Sequence, residues 1–114
     1  MAKTAERHAK TCPMTLVQKL VAGKWKLILL WQLNSGTKRF NELRKLLPSV
    51  SQRILTQQLR DLEHDGLVHR EVFRVVPPRV EYSLTPTGRS FVPVMESMCV
   101  WGKTHIKDKK AGGA

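Results

Sequence analysis

Between Ser51 and Gly66 the chain reads SQRILTQQLRDLEHDG, and its polar residues fall on one side of a helix. Wound at roughly 100° per residue, Arg53, Thr56, Gln57, Arg60 and His64 point one way, while Ile54, Leu55, Leu59 and Leu62 keep the other face apolar. Arginine presents a donor fork that matches the acceptors of guanine, and glutamine matches the paired donor and acceptor of adenine. The acids Asp61, Glu63 and Asp65 are held back to the last turns, so the leading half of the helix carries no negative charge. Ser51 is a good N-cap, and with Gln52 and the first free N–H groups it stands where a helix start can meet a phosphate. The chemistry open to such a face is hydrogen bonding in the major groove of duplex DNA.

A polar helix face is ordinarily just a solvated face, and three neighbouring features argue against that reading. The helix follows a tight turn, it precedes a hairpin with Arg74 and Arg79 near its tip, and the helix before it opens with Lys38-Arg39. Together these form a basic surface of recognition helix, wing and phosphate clamp. Other constellations are weaker. Gly23-Lys24 lacks the upstream glycine and the Ser/Thr of a phosphate loop, and His8, His64, His69 and His105 have no paired ligand spacing. Trp25, Trp31 and Trp101 stand at helical spacing and read as core or subunit contacts. No nucleophile, base and acid come together, so the expectation is a non-enzyme without cofactor or metal.

Composition agrees with a polyanion as partner. Twenty Lys and Arg against nine Asp and Glu leave +11 on 114 residues, enough for one domain. Cys12 and Cys99 form no CxxC pair or dense disulfide framework, the N-terminus has no apolar core of a secretory signal, and no apolar run approaches the roughly 18 residues of a membrane span. A cytoplasmic protein with no membrane contact is expected.

The elements that must position the polar face follow from periodicity and punctuation. Pro13 opens a first helix with Leu16, Val17 and Leu20 along it, ended near Gly23. The run KWKLILLWQLN makes a buried second helix with Trp25, Ile28, Leu29 and Leu33 inward and Gly36 just beyond. A third helix carries Phe40, Leu43 and Leu47 and is closed by Pro48. After the fourth helix the period changes to two: Val68, Val72 and Phe73, then Val80, Tyr82 and Leu84, mark two strands around a stiff Pro77-Pro78 tip. Thr85 caps a last helix from Pro86 that carries Phe91, Met95, Met98, Trp101 and Ile106, with Pro93 bending it or resetting its start. Residues 1–10 and 107–114 read as flexible tails, leaving residues 11–106 as the folded domain.

With these elements in place, the segments Gly23-Lys24-Trp25, Arg39-Phe40-x-x-Leu43, Ser51 through Leu67 and, above all, PPRVEYSLT from Pro77 to Thr85 resemble the HxlR-type winged helix-turn-helix regulators. The likeness covers Cys12 to about Trp101. It implies an α+β, mainly helical winged helix-turn-helix with a two-stranded wing, N- and C-terminal dimerisation helices, and transcriptional control by operator binding. It also implies a sensing cysteine just before the first helix, the position of Cys12, and an oxidant or electrophile as effector. A helix N-terminus with Arg7 and Lys10 nearby favours a reactive thiolate, while Cys12 reads equally well as a small residue packed at a dimer seam. Cys99 reads as inert core.

The apolar Leu16/Leu20 and Met95/Met98/Trp101 stripes exceed what a three-helix core with a hairpin can cover, which predicts a two-fold homodimer on an inverted repeat. Two other classes share the charge: a basic RNA- or ribosome-associated protein, which would expose more sheet aromatics than Phe73 and Tyr82, and a winged-helix protein-interaction module.

Overall fold

The computed structural model describes the backbone of residues 12–113 and the side chains of residues 12–106. The expected tail at 1–10, with Arg7 and Lys10, lies outside the described residues. The chain forms α1 (Pro13–Val21), α2 (Lys26–Asn34), β1 (Lys38–Arg39), α3 (Phe40–Leu46), α4 (Gln52–His64), β2 (Val68–Phe73), β3 (Arg79–Leu84), α5 (Pro86–Ser90) and α6 (Val92–Gly113).

Each boundary has a local cause. Cys12 is the N-cap of α1 with Pro13 at the first helical position, and its carbonyl accepts from the N–H of Thr15 at 2.9 Å. Gly23, at φ +129°, makes the turn into α2, a conformation that favours glycine, and a Cβ there would also have to push aside the end of the Gln58 side chain. The backbone N–H of Arg39 donates to Glu42 Oε1 at 2.9 Å at the start of α3. The hydroxyl of Ser51 accepts from the N–H of Ile54 at 3.1 Å, capping α4 as its sequence suggested, and Gly66 takes φ +78° just past its end. Thr85 accepts from the N–H of Gly88 at 3.0 Å and donates to the carbonyl of Gly66 at 2.6 Å, tying the start of α5 to the end of α4.

The core lies where α2, α3 and α4 meet the sheet. Leu29, Leu30, Leu33, Leu43, Leu55, Leu59 and Leu62 are buried there with Val50, Leu67, Val68, Tyr82 and Leu84. At roughly 1.5–3 kcal/mol per fully buried aliphatic side chain, this cluster is what holds α4 in place. Gly88 packs so closely that a Cβ would collide with the backbone carbonyl oxygen of Leu67.

Several expectations are corrected. The sheet has three strands in the order β1-β3-β2, all antiparallel, because Lys38 and Arg39 pair with Tyr82 and Glu81 before α3 begins. Trp25 is the N-cap of α2 and Ile28 is exposed; the inward face is Leu29, Leu30 and Leu33 with the charged Lys26. Ile54 is exposed as well, one residue before Leu55 and so about 100° around the helix from the buried Leu55, Leu59 and Leu62 stripe. As one of the two outcomes expected of it, Pro93 resets the last helix, giving the short α5 and the long α6, whose backbone runs to Gly113. The hairpin tip carries a cis Val76–Pro77 bond. Among the described residues no helix is long and apolar enough to cross a membrane.

Candidate nucleic-acid interface

Helix α4 presents its outward face as the sequence spacing implied. Gln52, Arg53, Gln57 and Arg60 are exposed and Thr56 is half-buried, and these five line one open groove of about 560 Å³ along the helix. Leu55, Leu59 and Leu62 on the reverse side are at most 1% exposed, so the helix is anchored by one face and free on the other. Ser51 is exposed, and its hydroxyl oxygen accepts the cap hydrogen bond, which leaves the hydroxyl hydrogen to donate outward beside Gln52 and the first backbone N–H groups of the helix.

The flanking basic residues come from three elements brought together by the sheet. β1 pairs with β3, so Arg39 stands opposite Glu81, two residues along the strand from Arg79. Arg79 Nε lies 3.1 Å and Arg39 Nε 4.0 Å from Glu81 Oε2, and the guanidinium of Arg79 stacks 4.3 Å over the ring of Phe73. Lys38 is half-buried and donates to Ser35 Oγ at 3.0 Å. Arg74 is exposed near the tip of the hairpin. Sequence reasoning found the cations but missed Glu81, the anion between two of them; the alternation of β3 had marked it as outward and gave no sign that β1 would bring Arg39 alongside.

A second missed feature lies on α4 itself. Lys26 is 8% exposed, and its Nζ stands 3.3 Å from Asp61 Oδ2. Asp61 Oδ1 accepts from Gln57 Nε2 at 3.0 Å. The hydrogen bond from Gln57 is the main cause that holds the Asp61 carboxyl below the usual carboxylate range; burial opposes it, and the hydrogen bond and charge of Lys26, with His64, add to the lowering. The i, i+4 spacing of Gln57 and Asp61 was readable in the sequence, but the buried lysine that joins them was not.

The residues expected at a dimer seam divide. Leu16, Met98 and Trp101 are exposed at 53%, 46% and 59%, and Leu20 is partly buried against the core. Met95 is 3% exposed and belongs to the chain's own core, because the first turns of α6 lean on α2. Next to it Leu27, Ile28, Trp31, Met98 and Cys99 shape an open apolar cleft of about 310 Å³. Cys12 and Cys99 are both free thiols and half-buried, so Cys99 is not sealed in the core.

Comparison with known proteins adds a family. The model of the HxlR-like helix-turn-helix family matches residues 20–110. The HTH-type transcriptional regulator YdeP of Bacillus subtilis (strain 168) is 54% identical over 98 residues, covering 86% of this chain and 76% of its own. Among solved structures, the redox regulator HypR in its reduced form superposes with a TM-score of 0.83 at 47% identity, over 88% of this chain and 99% of HypR. The oxidised form of HypR gives 0.78 at 51% identity, over 82% and 97%.

Proposed function

This chain belongs to the HxlR-like helix-turn-helix family, and from that premise we propose that it is a DNA-binding transcriptional regulator gripping an inverted-repeat operator as a homodimer in the cytoplasm. It acts by binding, with residues 11–106 as the working domain. The observation that carries the reading is the outward face of α4, where Gln52, Arg53, Gln57 and Arg60 share one open groove over a buried leucine face. Base edges are read from Arg53, Thr56, Gln57 and Arg60, and phosphates are held by Lys38, Arg39, Arg74 and Arg79 with the N-terminus of α4.

The dimer buries the exposed Leu16, Met98 and Trp101 with Leu20, which places the seam on α1 and α6, away from the DNA face. Cys12 at the N-cap of α1 then lies beside that seam. Oxidation of its thiol by a peroxide or a quinone, or exchange with a small-molecule disulfide that leaves as a thiol, moves α1 and changes the spacing of the two recognition helices. The family likeness to HypR, named a redox regulator, supports this.

The direct test is affinity for a random-sequence duplex across a salt series. Four phosphate-holding cations in each of two protomers make eight contacts, so log K should fall against log salt with a slope of about −7. Binding that ignores salt, or that prefers structured RNA over duplex DNA, would displace this reading.

A further inference from the structure

The side-chain amide of Gln57, in the middle of the exposed face of α4, is not free to turn. It is tied to Asp61 at 3.0 Å, and Asp61 is tied at 3.3 Å to Lys26, a lysine buried on α2. An ionised carboxylate has only acceptors, so Gln57 must turn its NH₂ group to Asp61 and its oxygen away. What remains for a partner is one acceptor, Oε1, and the second hydrogen of Nε2. In the major groove adenine offers a donor at N6 beside an acceptor at N7, which is the complement of that pair. Cytosine offers the donor alone, while guanine and thymine would set an acceptor against Oε1. The tethered amide can still give its second Nε2 hydrogen to guanine or to thymine O4, but only as a single bond that leaves Oε1 unpaired; a glutamine free to rotate could turn both hydrogens toward such acceptors, whereas adenine alone pairs both remaining groups of the tethered one.

We propose that Asp61, held by Lys26, is a positioning residue that fixes the amide of Gln57 and so makes this position of the recognition helix select adenine. The inference rests on the reading of α4 as the DNA-reading helix. Lys26 has a definite part in it: the buried ammonium pins the carboxylate from the core side, leaving its other oxygen to face Gln57. Removing Asp61 alone would strand a buried charge and destabilise the fold, whereas replacing both partners with apolar residues is commonly tolerated. The informative variant is therefore Lys26→Met with Asp61→Ala.

The test uses a duplex selected from a random library by the wild-type protein, and the same duplex with each base pair of the half-site replaced in turn. Wild type should lose on the order of tenfold in affinity when one adenine is replaced by guanine or thymine. Gln57→Ala should abolish discrimination at that base pair only. The double variant should bind the selected duplex yet discriminate less than about threefold there, with discrimination at the other positions unchanged. A purely structural role would weaken all duplexes alike. That uniform loss, retained tenfold discrimination in the double variant, or an unaffected base preference in Gln57→Ala would each overturn the inference while leaving the regulator reading intact. Absence of sequence-specific binding by wild type would overturn both. In the unmodified protein the Gln57 side-chain NH₂ resonances should shift as Asp61 is protonated in acid, and their insensitivity to that titration would refute the bond itself.

Discussion

Replacing Glu81 by glutamine should strengthen DNA binding. The carboxylate lies 3.1 Å from Arg79 Nε and 4.0 Å from Arg39 Nε, so the two guanidiniums assigned to phosphate share one anion and offer a net charge of +1 in place of +2. Glutamine keeps the size and the hydrogen-bonding oxygen and removes the charge. Two unit charges about 7 Å apart interact by about 0.6 kcal/mol in water and by about 2 kcal/mol at an effective dielectric of 20. Glu81 is only a quarter exposed, which places the gain between the two figures: about threefold to thirtyfold per protomer at low salt. Because Arg39 and Arg79 already count among the phosphate contacts, the salt slope should stay close to its wild-type value while the affinity rises at low salt. Arg79 keeps its stacking on Phe73 without the carboxylate, and exposed ion pairs contribute about 0–1 kcal/mol, so the melting temperature should change little. The assay is fluorescence anisotropy of wild type and Glu81→Gln on one duplex across a salt series. Equal affinity at every salt concentration would show that Arg39 and Arg79 stand away from phosphate, and weaker binding would show that Glu81 holds Arg79 in its binding pose.

Three further outcomes are expected. Gly88→Ala should lower stability by roughly 1–3 kcal/mol, because the added Cβ meets the Leu67 carbonyl that accepts the N–H of Thr85, and an unchanged thermal midpoint would refute that packing. Asp61 is held below its ordinary range in the fold, so its contribution is present at neutral pH and is lost as the pH falls below about 4; Asp61→Asn should flatten the acid limb of a stability-against-pH curve, and an unaltered limb would contradict the Lys26 and Gln57 contacts. Diamide should release wild-type protein from its selected duplex and reductant should restore binding, whereas Cys12→Ser should stay bound; a Cys12→Ser protein that still responds, paired with a Cys99→Ser protein that does not, would move the sensor to the thiol of the apolar cleft.

Much of the scaffold was legible because local rules and the global fold agree. Ser51, Gly66, Thr85 and Pro86 punctuate the helix ends that their residue types mark, and the alternation of Val80, Tyr82 and Leu84 marks β3 before any tertiary contact is known. The outward residues of α4 followed from the same periodicity. What escaped depends on contacts across the fold. A two-residue strand such as Lys38–Arg39 has no period and exists only because β3 lies beside it. Lys26 is buried because Asp61, 35 positions on, supplies a counter-charge that no spacing rule foresees. Ile54 is apolar yet exposed, since the wedge of α4 facing the core is only wide enough for Leu55, Leu59 and Leu62. Met95 and Met98 share a stripe in sequence, but only Met95 reaches the core. A lone methionine stripe cannot say where one chain's interior ends and a subunit interface begins.

The central claim is most directly tested by hydroxyl-radical footprinting of the selected duplex with the wild-type protein. Two protected half-sites related by a dyad are expected, their centres about 34 Å or a simple multiple apart, as two α4 helices in successive major grooves require. A single protected segment without dyad symmetry, or uniform protection that follows no sequence, would contradict it.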